Sequence, residues 1–496
     1  MMDHAVINGP PPSRPSEADS INDIPRDGLL PQLAEILNSA AMKGQLQERM
    51  FASTGDRERF LIRFCEIVQI RYKPESSCMV SYRLEIEDAV TGNRGEQILC
   101  GRAYPQGRSQ SQWEKAGAQA LVQPRFGNPL VHLPELEMVL WSFPNDRKMH
   151  TLPDAIDPIH STPEFLPDWL ALHLGTGWQV INAIPRVVHY VGEHTCTVRT
   201  SVDLVHRSMN ERRTMTIFGK TYYNGEGAET DRVMRQLWDS EARQSGRLAV
   251  AQPLWYDARL LTLWQLGIQG ATLENCATES QEFVPLLMEA ARAIAALHAM
   301  PLSHIRSVTL PDLVAKLKSV TAMLIRRRPS CQPVLVPLVN RLIAQAETIP
   351  LHPTATLHGD LHLKNLFLTQ NKVALIDLDN ICEGPPCQDI GSFVAGLFTR
   401  ALAKGTSPSQ VASCAQTFIH QYSQLVPWQT DEPVVAWFTA VALVTERSSR
   451  CVTRLKEGRL AMVNSLIDLA DRISKTRSLD SAVGGGADRH ERTIVP

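Results

Sequence analysis

Asp360, Asn365 and Asp377 are the residues of this chain whose types and spacing could do chemistry. They lie in LHGDLHLKNLFLTQNKVALIDLDN, residues 357 to 380. Two carboxylates and an amide oxygen brought to one place suit phosphoryl transfer. In that reaction the protein mainly positions groups and neutralises charge, largely through Mg2+. One carboxylate must meet an acceptor hydroxyl, and the other must hold the metal together with the amide oxygen.

The surrounding elements have to bring these residues together. Gly359 permits a tight backbone turn before Asp360. Leu366-Phe367-Leu368 and Val373-Ala374-Leu375-Ile376 read as two short apolar strands, joined by Gln370-Asn371-Lys372 as a hairpin turn. The hairpin folds Asp377 back toward Asn365. A lone Asp in a loop is usually a turn residue or a helix cap. The combination HGDxHxxN, hairpin, IDxD makes several geometric roles coincide, which a turn does not require.

This stretch resembles the aminoglycoside phosphotransferase and choline kinase group, a branch of the protein-kinase-like fold, over about residues 180 to 475. The five-residue step from Asp360 to Asn365 is that of the kinase catalytic loop. The resemblance implies that Asp360 is the catalytic base and that Asn365 and Asp377 are Mg2+ ligands, with Asp379 assisting. It implies loop-shaping roles for His358 and His362 and a mainly structural one for Asp389. It also implies an α+β, two-lobed fold with a small β-rich N-lobe and a mostly helical C-lobe, and ATP and Mg2+ as cofactors.

Composition sets outer bounds. The 496 residues, 44% of them hydrophobic, suffice for two or three packed units. A formal charge of −2 gives no general nucleic-acid signature. No apolar run reaches the length of a transmembrane helix, and Met1-Met2-Asp3-His4 does not open a secretory signal. Ten cysteines stand without a disulfide or zinc framework, which fits reduced, buried thiols in a cytoplasm. Residues 1–28 and 477–496 read as disordered tails, and residues 29–59 as a helical lead-in.

The chain also repeats itself. Arg71 to Val80 resembles His189 to Val198 at an offset of 118 residues, and Gly101-Arg102-Ala103-Tyr104 aligns with Gly219-Lys220-Thr221-Tyr222 at that same offset. Further on, Leu140-Trp141 resembles Leu263-Trp264 at an offset of 123. Each copy reads strand, turn, strand, loop, strand, helix. Residues 178–270 are then expected to form the N-lobe and 271–476 the C-lobe. Residues 60–165 are expected to be a degenerate, N-lobe-like module in front. With Arg102 in place of a lysine and no second HGD, that module is assigned to packing, regulation or homodimerisation. A phosphate-binding role for Arg102 is the competing reading.

In the second copy, Lys220 takes the position of the strand lysine that contacts the α- and β-phosphates in kinase-like N-lobes. Glu229 is its expected partner, with Glu241 as runner-up. Leu260 to Ile268 reads as an apolar strand leading to the hinge, which places Trp264 and Leu266 beside adenine; plain core is an equal reading for Trp264. No GxGxxG precedes Lys220, and HRD, DFG and APE are missing, which argues against a conventional protein kinase.

Arg447, Arg450 and Arg454 recur at helical spacing and should share one face. A solvated face is one reading. A basic acceptor region is the other, favouring a neutral or anionic acceptor such as a sugar, a sugar phosphate or a lipid head group over a polycation. The sequence therefore points to an ATP- and Mg2+-dependent phosphotransferase acting on a small hydroxylated molecule (a sugar, an amino alcohol or a related metabolite). A non-catalytic nucleotide-binding scaffold and an atypical protein kinase are the alternatives.

Overall fold

A computed structural model describes residues 24–52, 57–157, 163–276, 283–350, 353–370, 372–456 and 458–484. The fold mixes antiparallel sheets with helices, in two compact units. The first unit draws its described residues from Met1–Asp231, Gln252–Gly267 and Thr453–Glu457. The second draws them from Arg232–Ala251, Ile268–Val452 and Gly458–Pro496.

The first unit opens with helices α1 (Leu33–Ile36) and α2 (Ser39–Arg49). Its first sheet comprises β1 (Phe60–Lys73), β2 (Ser77–Asp88), β3 (Arg94–Ala103), β4 (Leu130–Leu133) and β5 (Met138–Ser142), with α3 (Ser109–Gly117) between β3 and β4. Helices α4 (Leu152–Ala155) and α5 (Leu166–Leu174) follow. The second sheet then comprises β6 (Trp178–Val191), β7 (Thr195–His206), β8 (Arg212–Tyr222), β9 (Pro253–Asp257) and β10 (Thr262–Leu266). Helices α6 (Glu226–Trp238) and α7 (Glu241–Gln244) come between β8 and β9.

The two sheets have the same strand order, β1-β2-β3-β5-β4 and β6-β7-β8-β10-β9. Their registers correspond as well. Lys73 pairs with Ser77 and Val191 with Thr195, while Cys78 pairs with Ala103 and Cys196 with Thr221. A bulge after Ile62 recurs after Val180. The likeness also begins earlier than the repeat in the sequence. Asp27 accepts hydrogen bonds from Tyr72 Oη at 2.7 Å and Glu75 N at 2.8 Å. Asp146 accepts from Tyr190 Oη at 2.7 Å and Glu193 N at 2.9 Å. Asp27 was expected in a disordered tail, but its buried carboxylate fastens the first hairpin turn.

The last matched pair needs a one-residue correction. Gly101 pairs with Leu140, whereas Gly219 pairs with Trp264. Leu140 therefore corresponds to Trp264, at an offset of 124. A slip of one residue exchanges the faces of a strand. Accordingly Trp141 packs in a cluster with Ala116 of α3, while Trp264 packs in one with Leu166 and Leu170 of α5.

The second unit is mostly helical. Its helices are α8 (Phe283–His298), α9 (Leu310–Arg327), α10 (Gln332–Ala346), α11 (Cys387–Lys404), α12 (Pro408–Ser423), α13 (Glu432–Ala442), α14 (Ser449–Arg454), α15 (Met462–Thr476) and α16 (Leu479–Gly484). Phe283, Leu287, Ala290, Ala291, Ile294 and Leu297 of α8 are buried, as their spacing predicts. A capping box between Thr309 and Asp312 starts α9. Helix α11 packs against α13, and α8 against α12. Short strands β11 (Ala271–Thr272), β13 (Leu366–Thr369) and β14 (Lys372–Leu375) form one small sheet, and β12 (Ala355–Leu357) pairs with β15 (Cys382–Gly384).

Two further expectations change here. The tail expected from 477 onward contains α16, whose Leu479 and Ala482 are buried; residues 1–23 and 485–496 lie outside the described residues. The arginines expected on one face differ in burial. Leu443–Ser448 is a π-helical turn that precedes α14. Its wider repeat rotates the side chains, leaving Arg447 buried, Arg450 half-buried and Arg454 exposed. Among the described residues, no helix is long and apolar enough to cross a membrane. All ten cysteines are free.

Candidate active site

In the second unit, β12 delivers the chain to His358-Gly359-Asp360. Gly359 has φ +77°, and a Cβ there would fall 2.1 Å from the Asn380 carbonyl oxygen, so the turn requires glycine. Asp389 at the start of α11 holds this turn. Its buried carboxylate accepts from His358 N at 2.6 Å and Gly359 N at 3.0 Å, and lies 3.2 Å from His298 Nε2. His298 Nδ1 is 2.7 Å from Tyr422 Oη. His298 and Asp389 thus brace the loop and leave the reacting positions to others.

The same loop is tied to the strand before Asp377. His358 Nε2 donates to the Ile376 carbonyl at 3.0 Å, and Ile376 N donates to the Asn365 carbonyl at 3.1 Å. Asn365 Nδ2 donates to the Asp360 carbonyl at 3.0 Å. Three hydrogen bonds therefore bring the segments of Asp360, Asn365 and Asp377 together, as the hairpin reading required. Asn365 spends its amide NH2 on the loop, which leaves its Oδ1 as the atom for a hard cation. Asp377 is an exposed carboxylate in the left-handed region, φ 60° and ψ 58°. Asp379 sits in the half-turn that follows, half-buried. An amide oxygen and one or two carboxylates, completed by phosphate oxygens, are the donors Mg2+ takes in such sites.

Asp360 itself is engaged. Its Oδ1 accepts from Arg450 Nη2 at 2.8 Å, and its Oδ2 lies 3.6 Å from His362 Nε2. Burial raises the affinity of this carboxyl for a proton. The nearby His362 ring and the Arg450 charge outweigh that and hold it far below the usual carboxylate range. For Arg450, burial favours the neutral form, and the Asp360 charge reverses the balance and raises its pKa. His362, expected only to shape the loop, therefore also polarises the carboxylate.

In the first unit, Lys220 lies on β8 opposite Leu263 of β10 and Thr197 of β7. Side chains directly opposite one another share a face, so Leu263 and Gln265 lie with Lys220. Trp264 and Leu266 lie on the other face. Trp264 is 5% exposed in a cluster with Leu254, Ile217 and Leu170, and Leu266 packs against that cluster. Trp264 is therefore core, the equal reading for it, Leu266 is half-buried on the same face, and Leu263 and Gln265 lie on the Lys220 side. Strand alternation carried that signal, but it reads only once the register is known. Glu229 stands in the first turn of α6, and Glu241 starts α7.

The first sheet answers what Arg102 does. Its Nε donates to Glu193 Oε1 at 2.7 Å, its Nη2 donates to Glu193 Oε2, and its Nη1 donates to Ser77 Oγ at 2.7 Å. Arg147 Nε and Nη2 also donate to the two Glu193 oxygens, each at 2.7 Å. Gly192, next to Glu193, approaches Cys100 so closely that a Cβ would lie 2.1 Å from its Sγ. The β6–β7 turn of the second sheet thus covers the Arg102 side of the first sheet. Glu193 occupies the oxyanion position there, and Arg102 is not available to an external phosphate. Burial raises the Glu193 carboxyl, but hydrogen bonds from Arg147 and Arg102 overcome it and hold the pKa at about 2.

Residues 210–438 match the family model of the phosphotransferase enzyme family. The segment takes in Lys220, Glu229, Asp360, Asn365, Asp377 and Asp379, and it ends before Arg447 and Arg450. The resemblance to the aminoglycoside phosphotransferases stands on this match, which covers residues 210–438. Among solved structures, a thermostable mutant of aminoglycoside phosphotransferase APH(4)-Ia is 16% identical, covering 64% of this chain and 99% of that one, with a TM-score of 0.42. A putative aminoglycoside phosphotransferase from Ralstonia eutropha JMP134 is 17% identical over 64% and 98%, TM-score 0.43. APH(3'')-Id from Streptomyces rimosus, in complex with ADP and streptomycin, is 15% identical over 57% and 99%, TM-score 0.35.

Proposed function

We propose that this chain, through its phosphotransferase family segment, moves the γ-phosphoryl group of ATP to a hydroxyl of a small molecule. The observation that supports the reading is the hydrogen-bonded tie of Asp360, Asn365 and Ile376, which joins the segments assigned the base and the metal ligands. Asp360 orients the acceptor hydroxyl. As the acceptor oxygen bonds to Pγ, the bond from Pγ to the β-phosphate oxygen breaks and ADP leaves. The hydroxyl proton passes to Asp360. A carboxylate of such low proton affinity acts mainly by orientation and accepts the proton late.

Asn365 Oδ1 and Asp377 would hold Mg2+, with Asp379 assisting; the metal supplies charge neutralisation on the phosphates. Lys220 orients the α- and β-phosphates, and Glu229 holds Lys220. Residues 60–165 are a degenerate N-lobe-like module whose role is packing. The acceptor is a sugar, an amino alcohol or a related metabolite, neutral or anionic, and the setting is cytoplasmic.

The Asp360–Arg450 pair favours one alternative, a nucleotide-binding scaffold whose base is permanently masked. Mg-ATP turnover by wild type and Asp360→Asn, with a panel of hydroxylated metabolites, separates the two. Turnover in wild type and its loss in Asp360→Asn support the enzyme. Mg-ATP binding without turnover for any acceptor supports the scaffold.

A further inference from the structure

Arg450 already donates to Oδ1 of the base, and an acceptor hydroxyl has to compete with it there. The partner of Asp360 comes from α14, which follows directly on the π-helical turn Leu443–Ser448. Such turns cost regular hydrogen bonding and recur at functional sites. This one buries Arg447, 8% exposed, and turns Arg450, 32% exposed, onto Asp360. Arg447 Nη2 donates to the Ser392 carbonyl at 2.7 Å, and Ser392 Oγ donates to Glu446 Oε2 at 2.7 Å. The buried Arg447 Nε has no hydrogen-bond partner among the described residues.

The charges around this point do not balance. Burial disfavours the Arg447 charge, and the Arg450 and Arg459 charges disfavour it further, against support from Glu446 and Asp360. Among the described residues, the charges that act most on Arg447, beside its own, are thus those of two guanidinium groups and two carboxylates. A cationic acceptor would add to the excess, whereas an oxyanion would cancel it. Arg450 is half-buried, and its planar fork can take a carboxylate or a phosphate through two parallel hydrogen bonds.

We propose that the acceptor carries an oxyanion, which Arg450 binds over the Arg447 and Arg459 charges, and that this pairing releases Asp360 for the acceptor hydroxyl. The proposal rests on the phosphotransferase reading and adds its substrate class. In the absence of such an acceptor, Arg450 keeps the base occupied and limits transfer of phosphoryl groups to water. With it, Arg450 exchanges one carboxylate for another oxyanion, and the freed Asp360 oxygen accepts from the hydroxyl.

The test measures ADP release from Mg-ATP with four hydroxylated probes: glycerol, ethanolamine, D-glycerate and sn-glycerol 3-phosphate. In wild type, at least one of the two anions should raise the rate about tenfold over the acceptor-free rate, the effect of one well-placed charge pair. Glycerol and ethanolamine should not. The two anions tell a carboxylate from a phosphate requirement. Arg450→Gln should lose the anion effect while its acceptor-free hydrolysis rises several-fold. Arg450→Lys, which keeps the charge without the fork, should retain the anion preference at a higher KM. The proposal is overturned if glycerol or ethanolamine serves as well as the anions, if neither anion stimulates, or if Arg450→Gln keeps the preference. Acceptor-free hydrolysis by wild type reads the phosphotransferase activity separately, so its presence without an anion effect sinks this proposal alone.

Discussion

Near the C-terminal end of β3 the cation is Arg102, and all three of its side-chain nitrogens donate to protein oxygens. At the corresponding place on β8 the cation is Lys220, on the face shared with Leu263 and Gln265. The strand order, the hairpin register and the Asp-to-turn anchor are common to both sheets. What differs is the anion each cation serves. Glu193, a side chain of the second sheet, fills the oxyanion position over the first. One strand frame can therefore hold a cation for binding or for cohesion. In the first sheet the cohesive role follows from Glu193, which the β6–β7 turn brings onto Arg102.

The largest separation should come from the two cations. Lys220→Met is expected to lower kcat/KM for Mg-ATP by roughly a hundredfold or more, the scale of losing a preorganised charge at a transferring phosphate. Arg102→Met should leave kcat within about twofold and lower the melting temperature. Equal losses of activity in steady-state assays would dissolve the distinction between the sheets.

Next come the two turn glutamates. Glu193→Gln leaves two guanidinium groups facing a neutral amide in a buried place and should destabilise by about 3 kcal/mol in denaturant titrations. Glu75, its counterpart, is exposed. Glu75→Gln should change stability by less than about 0.5 kcal/mol. A similar cost at both positions would show that the Arg102–Arg147 clamp contributes little.

Acid titration sharpens the same contrast. The Glu193 pKa falls from 4.5 in the unfolded chain to about 2 in the fold. Its contribution is fully present above the unfolded value and is lost as pH falls from about 4.5 to about 2. Its full size is about 3 kcal/mol, since a tenfold change in proton affinity is worth about 1.4 kcal/mol. Urea midpoints of wild type should therefore fall in that window, and those of Glu193→Gln should fall less steeply.

The smallest effect concerns what the sheets share. Tyr72→Phe and Tyr190→Phe each remove one hydrogen bond to a buried aspartate and should each cost about 1–2 kcal/mol. Thermal melts that differ by more than about 1 kcal/mol between the two would argue that the anchors are not equivalent.

The parts of the site legible in the sequence were those built locally. Asp360, Asn365 and Asp377 sit around a hairpin whose strands and turn are contiguous, so period-two apolar runs and Gly359 were enough to bring them together. Trp264 was not legible, because its face depends on pairing Gly219 with Trp264, a register set across more than forty residues. The frame of the first sheet was readable from the 118-residue repeat. The Arg102 partner was not, since Glu193 lies 91 residues away. The arginines near 450 were seen as a basic helical run, but the π-helical turn that buries one and aims another left no mark in their spacing.

Sequence alone determined which segments became strands, turns and helices, and which three side chains share the HGD hairpin. Those follow from backbone preferences and apolar periodicity acting over a few residues. Tertiary structure decided which anion each cation meets: Glu193 for Arg102 and Asp360 for Arg450. The reason is physical, because the strength of a charge pair depends on separation and burial, and folding sets both for groups far apart in the chain. The motif at 357–380 is thus the proposed phosphotransferase site, and the fold alone sets Arg450 on Asp360.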